Sequence, residues 1–532
     1  TMTSRFLAGI LACTLAGLFS TAQAATPPTV TVSQGAVSGK LLNGVRRYMG
    51  LRFATAERWK APQPAPAWSG TLDGTKFGAS CPQKGSALSA DSKVEDCLFL
   101  NVYVPDDIGA AKLPVMVWIH GGGFSQGAGS DYDVSTLAQK AHAIVVTTNY
   151  RLGVFGFFAL PGVRAETSNI NFGLQDQQSA LRWVQSNIAA FGGDAGRVTI
   201  FGESAGGTSM CLHLVSPQSA GLFHRAISES GPCTVLTGSS VNVLAAASEK
   251  LAADFACPSG PGQLACMRGK PVGDLNAATV LDLNLNSGAA HWSPVVDGVS
   301  LPDEPAKMVR EGRYRRVPTI FGTNRDEGRL MVMANYHLTK LLPVSTTQLA
   351  AEIAAVAPGD AAAQAQLTAT YTKDAYGSRD LALGAMLTDS SFACHANSDV
   401  GALSAYAPTW SYEFNAPTYG ANINPYMPMG AFHGAEMGYL FQNKFPGLPF
   451  WVALNAKQQA LADQMARYWG NFAATGNPNG AGLPTWPSHN RQSAAVQNLG
   501  LAGAAPQAAG AFRKDHQCGL WDAIWAARST AP

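Results

Sequence analysis

The stretch from Arg197 to Gly207 leaves a chain few ways to fold. Val198, Thr199, Ile200 and Phe201 read as a buried strand, Gly202-Glu203-Ser204-Ala205-Gly206 as a sharp turn, and the small residues that follow as the start of a helix. A serine on such a turn carries strained backbone angles, so Gly202, Ala205 and Gly206 must be small for chain and substrate to approach it. The turn lifts the Ser204 hydroxyl above the edge of a sheet. The same five-residue pattern recurs at Gly123-Phe124-Ser125-Gln126-Gly127, but there more glycine precedes it and Ala128-Gly129-Ser130-Asp131 follows, which starts no prompt helix. Only Ser204 has strand, turn and helix together.

Around this turn, apolar strand-like runs alternate with helical stretches from about residue 100 to 470, with no repeat and no long polar linker. That alternation predicts an α/β chain with a large, mostly parallel central sheet flanked by helices, preceded by short N-terminal strands. Residues 25–532 read as a single domain. Residues 171–190 have helical spacing, as do 461–472, and 339–391 form an alanine-rich helical stretch. In that stretch Leu341, Leu342, Leu349, Ile353 and Val356 read as packing residues; Met331, Met333, Tyr336 and Leu342 would alternatively line a lid. Residues 503–510 read as a low-complexity loop.

The strand Leu113 to Ile119 runs into His120-Gly121-Gly122-Gly123. Three glycines after a strand let backbone N–H groups face a cavity unobstructed, as an oxyanion hole requires. A serine hydroxyl becomes a nucleophile only when a base takes its proton, and an imidazole base needs a carboxylate to hold its tautomer. Glu327, after the strand-like run from Val317, and His433, after that from Trp410, follow Ser204 in the order serine, acid, histidine. Asp326 is the local rival for the acid. Glu203 either modulates the imidazolium or lines the site.

Arg5, the apolar run Phe6 to Phe19 and the small-x-small site Ala22-Gln23-Ala24 predict a secretory signal over 1–24. The remaining chain has no apolar run of membrane-spanning length. Cys81, Cys97, Cys211, Cys233, Cys257, Cys266, Cys394 and Cys518 are an even number, which favours disulfides in an exported chain. Pairs Cys81 with Cys97 and Cys257 with Cys266 would close short loops, whereas Cys211, in the apolar helix after Ser204, reads as a free buried thiol. A net charge of +2 without a basic stripe gives no case for nucleic acid. No zinc motif or phosphate-binding Gly-Lys loop is present, so no cofactor or metal is implied.

The segments EDCLFLNVYVP (95–105), WIHGGGF (118–124), NYRLG (149–153) and FGGDAGRVTIFGESAGG (191–207) resemble the signatures of type-B carboxylesterases, the cholinesterase-like branch of the α/β-hydrolase fold, and the likeness spans nearly the whole chain. The resemblance implies a carboxylic ester hydrolase with helical insertions near its site and a small-molecule ester as substrate. It assigns Ser204 as nucleophile, Glu327 as acid, His433 as base, and the N–H groups of Gly122, Gly123 and Ala205 as oxyanion donors. It further implies an ion pair of Glu95 with Arg151, a serine, Ser230, behind the acid, and a disulfide of Cys394 with Cys518.

Two departures bear on substrate. The segment between Cys81 and Cys97 has no aromatic residue, and Gly288, Ala289 and Ala290 stand where cholinesterases carry bulky acyl-pocket aromatics. Both argue against choline esters and for small uncharged acyl or aryl esters. A lipase-like enzyme, a hydrolase of bulky feruloyl, polyester or mycotoxin esters, and a catalytically silent recognition domain are the alternatives.

Overall fold

The computed structural model describes residues 27–86, 89–109, 111–236, 240–278, 292–417, 424–442, 453–490 and 492–529. The signal over 1–24 and the acyl-pocket residues 288–290 lie outside them.

The centre is an eleven-stranded sheet. Its strands in chain order are β1 (Lys40–Leu42), β2 (Val45–Arg52), β3 (Phe99–Pro105), β4 (Leu113–Ile119), β5 (Ile144–Thr148), β6 (Gly193–Glu203), β7 (Arg225–Glu229), β8 (Thr319–Asn324), β9 (Thr409–Asn415), β10 (Gln497–Gly500) and β11 (Gly503–Pro506). In space they run β11-β10-β9-β8-β7-β6-β4-β5-β3-β2-β1. Strands β5, β4, β6, β7, β8, β9 and β10 are mutually parallel. The outer strands β3, β2, β1 and β11 join antiparallel. Residues 503–506 are therefore a strand, where the composition suggested a loop; Ala504 and Ala505 pair with Leu499 and Asn498.

Every residue of β4 is buried, and its side chains divide between two cores. Val115, Val117 and Ile119 enter the core on one face, Met116 and Trp118 that on the other. A continuous apolar run is what a strand covered by helices on both faces requires. The helices used below are α1 (Phe172–Asn187), α2 (Ala205–Val215), α3 (Gly328–Val332), α4 (Arg379–Thr388), α5 (Cys394–Leu403), α6 (Ala456–Thr475) and α7 (Cys518–Ser529). Helix α6 begins with a capping box, in which the Asn455 and Gln458 side chains each take the other's backbone N–H, and stops at Gly476 in the left-handed region.

Three side-chain expectations need correction. Cys211 is not free: it is bonded to Cys233, with Cα atoms 5.3 Å apart. Helix α2 leaves β6 and the loop bearing Cys233 leaves β7, so parallel neighbours bring both thiols to the same end of the sheet. Arg151 does not pair with Glu95. Its Nε and Nη2 each donate to Asp176 of α1 at 2.8 Å, and Glu95 takes Arg58 instead. The arginine ends up buried beside α1, whereas Glu95 stays partly in solvent. Leu341 and Leu342 are 68% and 64% exposed, so they are not packing residues; the core is reached by Leu349 and Ile353. Met331 and Tyr336 are buried too, so of the alternative lid residues Leu342 is the exposed one.

The disulfides Cys81–Cys97, Cys257–Cys266 and Cys394–Cys518 are present. No described helix is long and apolar enough to cross a membrane.

Candidate active site

The Ser204 turn is made possible by close backbone packing. Ser204 has φ 58° and ψ −123°, a conformation that costs a side-chain-bearing residue ~1–3 kcal/mol. Its N–H donates to the Glu229 carbonyl at the end of β7 (2.9 Å), and its carbonyl accepts from Thr208 in α2 (2.8 Å). A Cβ on Gly206 would fall 2.0 Å from the Ile119 carbonyl oxygen, so only glycine lets α2 start so near β4. The second serine pattern differs: Ser125 donates back to the Gly123 carbonyl (3.2 Å), and no helix follows directly.

The glycine triplet lies against this turn. A Cβ on Gly121 would stand 2.7 Å from the Glu203 carbonyl oxygen and 3.1 Å from the Ser204 Cβ. Gly122 and Gly123 have φ of 102° and 60°, and among the described residues their N–H groups have no acceptor. The N–H of Ala205, first residue of α2, has no intrahelical acceptor by the geometry of a helix start. Of this triplet, Gly121 is the residue whose position against Ser204 is fixed directly, and Ala205 follows Ser204 in the chain.

His433 lies on the loop after β9, with Nδ1 2.7 Å from Glu327 Oε2. Glu327, fully buried at the start of α3, accepts through Oε1 from Thr323 Oγ1 (2.8 Å) and the Asn324 N–H (2.7 Å). Asp326 points elsewhere, accepting from the Ala431 N–H (2.9 Å) and pairing with Arg329 (2.7 Å). The Glu327 contact makes Nδ1 the protonated nitrogen and leaves Nε2 facing the end of β6. There Nε2 lies 3.2 Å from Glu203 Oε1, and among the described residues the Ser204 hydroxyl makes no hydrogen bond. Ser230 is buried and among the described residues its hydroxyl has no partner; its backbone N–H donates to the Gly322 carbonyl (2.9 Å).

Electrostatics follow from burial among carboxylates. Burial disfavours the His433 imidazolium, but Glu203 and then Glu327 more than offset it, and its pKa is raised. Burial likewise raises Glu203, with the His433 charge opposing. Two further glutamates line the back of this region. Glu229, raised to about 8 by burial, accepts from Trp469 Nε1 (2.8 Å), and Glu436, pushed well up by burial and its acidic neighbours, is held by Asn324. Sequence reading missed both, since nothing local separates them from surface glutamates; Glu436, three residues after His433 in the same turn, is the one whose nearness to the histidine could have flagged it. Among the described residues no group of histidine, cysteine and carboxylate side chains could hold a metal.

A serine on a strand-to-helix turn, a glycine loop against it and an imidazole on a buried carboxylate form a group of residues suited to ester hydrolysis. The model of the Carboxylesterase family matches residues 26–521. The chain belongs to the carboxylesterase family. It is a carboxylic ester hydrolase with the α/β-hydrolase fold. This carboxylesterase is 35% identical to liver carboxylesterase 1 of Oryctolagus cuniculus, over 99% of its own chain and 97% of the relative's. It is 36% identical to the para-nitrobenzyl esterase of Bacillus subtilis (strain 168), over 88% and 94%. Among solved structures it superimposes on a thermophilic PNB esterase with a TM-score of 0.76 at 32% identity, covering 93% of this carboxylesterase and all of that chain.

Proposed function

We propose that the chain is an exported serine carboxylesterase that works through an acyl-enzyme on small uncharged esters. The observation that carries this reading is the His433 ring, fixed by Glu327 on Nδ1 and turned by that contact so that Nε2 faces the Glu203-Ser204 end of β6. Nε2 shifts from Glu203 to the adjacent Ser204 and takes the hydroxyl proton as Oγ bonds to the ester carbonyl carbon. The carbonyl oxygen becomes an oxyanion held by the N–H groups of Gly122, Gly123 and Ala205. The carbon–alkoxy bond then breaks, and the departing alkoxide takes the proton from His433. Water attacks the acyl-enzyme with His433 again as base, releasing the acid and restoring Ser204. Glu203 holds the imidazolium between steps, and Ser230 packs behind the acid.

Export, with residues 25–532 as one mature domain, is supported by the signal pattern over 1–24 and by four disulfides, since such bonds persist in oxidising compartments. N-terminal sequencing of the protein recovered outside the cytoplasm should begin at Ala25.

One observation favours a lipase-like second reading. Leu338, Leu341 and Leu342 are 66%, 68% and 64% exposed, and the Leu341 carbonyl accepts from Tyr426 on the same inter-strand segment as His433 (2.7 Å). A p-nitrophenyl ester series from acetyl to palmitoyl separates the two. An esterase saturates below substrate solubility and favours short chains, whereas an interfacial enzyme rises sharply above it. In the same series Ser204→Ala should lose activity by roughly a million-fold in kcat, as nucleophile removal does in serine hydrolases generally.

A further inference from the structure

His516, just ahead of α7, is buried, and both its ring nitrogens meet carboxylates. Nδ1 lies 2.7 Å from Asp389 Oδ1 and Nε2 lies 2.7 Å from Glu413 Oε1. Burial raises the Asp389 carboxyl and the His516 hydrogen bond opposes it, while Glu413 is lowered; with both ionised they only accept, so both nitrogens donate and the ring is an imidazolium. Burial opposes that charge; Asp389 and Glu413 outweigh it and lift the pKa from 6.5 to about 9.

The three residues are tied in on every side. Asp389 also accepts from Tyr371 Oη (2.8 Å), which in turn accepts from Trp521 Nε1 of α7 (2.7 Å). The other Glu413 oxygen accepts from Gln507 and faces Arg325 at 3.4 Å, and Arg325 also reaches Asp515 (3.3 Å). The disulfide Cys394–Cys518 closes the same corner.

This cluster touches the active site by two routes. Asp389 opens the turn Asp389–Ala393, whose Phe392 ring lies 4.8 Å from the His433 ring, tilted by 47°. Arg325 belongs to the turn that presents Glu327, and its N–H donates to the Phe414 carbonyl of β9 (3.0 Å). A buried ion cluster is rarely the most stabilising way to fill a core, so one placed behind both supports of an imidazole calls for a positional explanation.

We propose that His516 is a positioning residue for ester hydrolysis. By clamping Asp389 to Glu413 it fixes the turn that sets Phe392 against the His433 ring, and so keeps Nε2 directed at the end of β6. This rests on the reading of His433 as the base.

The test compares His516→Gln, Phe392→Ala and the double variant, using kcat and KM for p-nitrophenyl acetate and the thermal midpoint to verify folding. Each single variant should lower kcat about tenfold with KM changed by less than about twofold, and the double should be no worse than about twofold below the weaker single, because both act on one ring position. A folded single variant with kcat within about twofold of wild type, or losses that multiply to about a hundredfold, overturns the proposal. Should His516→Gln not fold, Asp389→Asn, which keeps the volume and one carboxylate partner, is read by the same criteria. His433→Ala separates the two claims: an active His433→Ala sinks the base assignment itself, whereas an inactive one beside an unaffected His516→Gln sinks only the clamp.

Discussion

At the scale of single residues, the site is governed by how many carboxylates share the charge of His433. Glu203 lies 3.2 Å from Nε2, and its charge pushes the imidazole pKa up. A base must be neutral to accept a proton, so removing that charge frees the base at lower pH. Glu203→Gln should therefore move the acid limb of the kcat/KM profile to lower pH; an unmoved or upward-shifted limb would show that Glu203 does not control His433. Glu327→Gln should cost roughly 10⁴-fold in kcat while leaving the fold intact, because an amide on Nδ1 no longer enforces the tautomer. Ser204 and the glycines could be singled out in the sequence because each lies in a local pattern of turn or loop residues, and Glu327 and His433 because their segments resemble the family's motifs. The Nε2 contact to Glu203 could not, since it depends on which way a ring turns within a finished pocket. Nor could the partner of Arg151: Asp176 and Glu95 are both acidic, and only the position of α1 decides between them.

At the scale of elements, the sheet was legible because its strands are continuous apolar runs and its helices have regular apolar spacing. What failed were elements whose state is set by distant neighbours. Residues 503–506 carry little strand propensity and are a strand because β10 offers them an edge. Cys211 looks like any small apolar helix residue until β6 and β7 align as neighbours. The disulfide it forms closes a 22-residue separation, for which the chain-entropy relation gives about 3 kcal/mol. Replacing both cysteines by alanine should lower the unfolding free energy by about that amount in urea titration, and no loss would mean that the bond does not form. The His516 cluster makes a different, pH-dependent contribution. Its folded pKa of about 9 lies above the ordinary 6.5, so the stabilisation is complete below 6.5 and is lost as pH rises through 9. Asp389 and Glu413 face the ring directly, and Arg325, Asp515 and Tyr371 complete the surroundings. The gap in thermal midpoint between wild type and His516→Gln should be widest below pH 6.5 and should close toward pH 9; a gap independent of pH would argue that the ring is held neutral.

At the scale of the whole molecule, the parallel centre of one mixed sheet brings together residues more than two hundred positions apart. Ser204 follows β6, Glu327 follows β8, and His433 lies on the loop after β9, all at the carboxyl ends of parallel strands. Binding at that edge is a property of such sheets, which is why the order of motifs along the chain points to it. In the proposed mechanism, chemistry passes through an ester of Ser204. The most direct measurement is acid quenching of the enzyme during turnover of p-nitrophenyl acetate, followed by peptide mass spectrometry. The result expected is one acetyl group on the peptide carrying Ser204, absent from Ser204→Ala. Acetylation confined to another residue, such as Ser125, or full turnover by Ser204→Ala would contradict it.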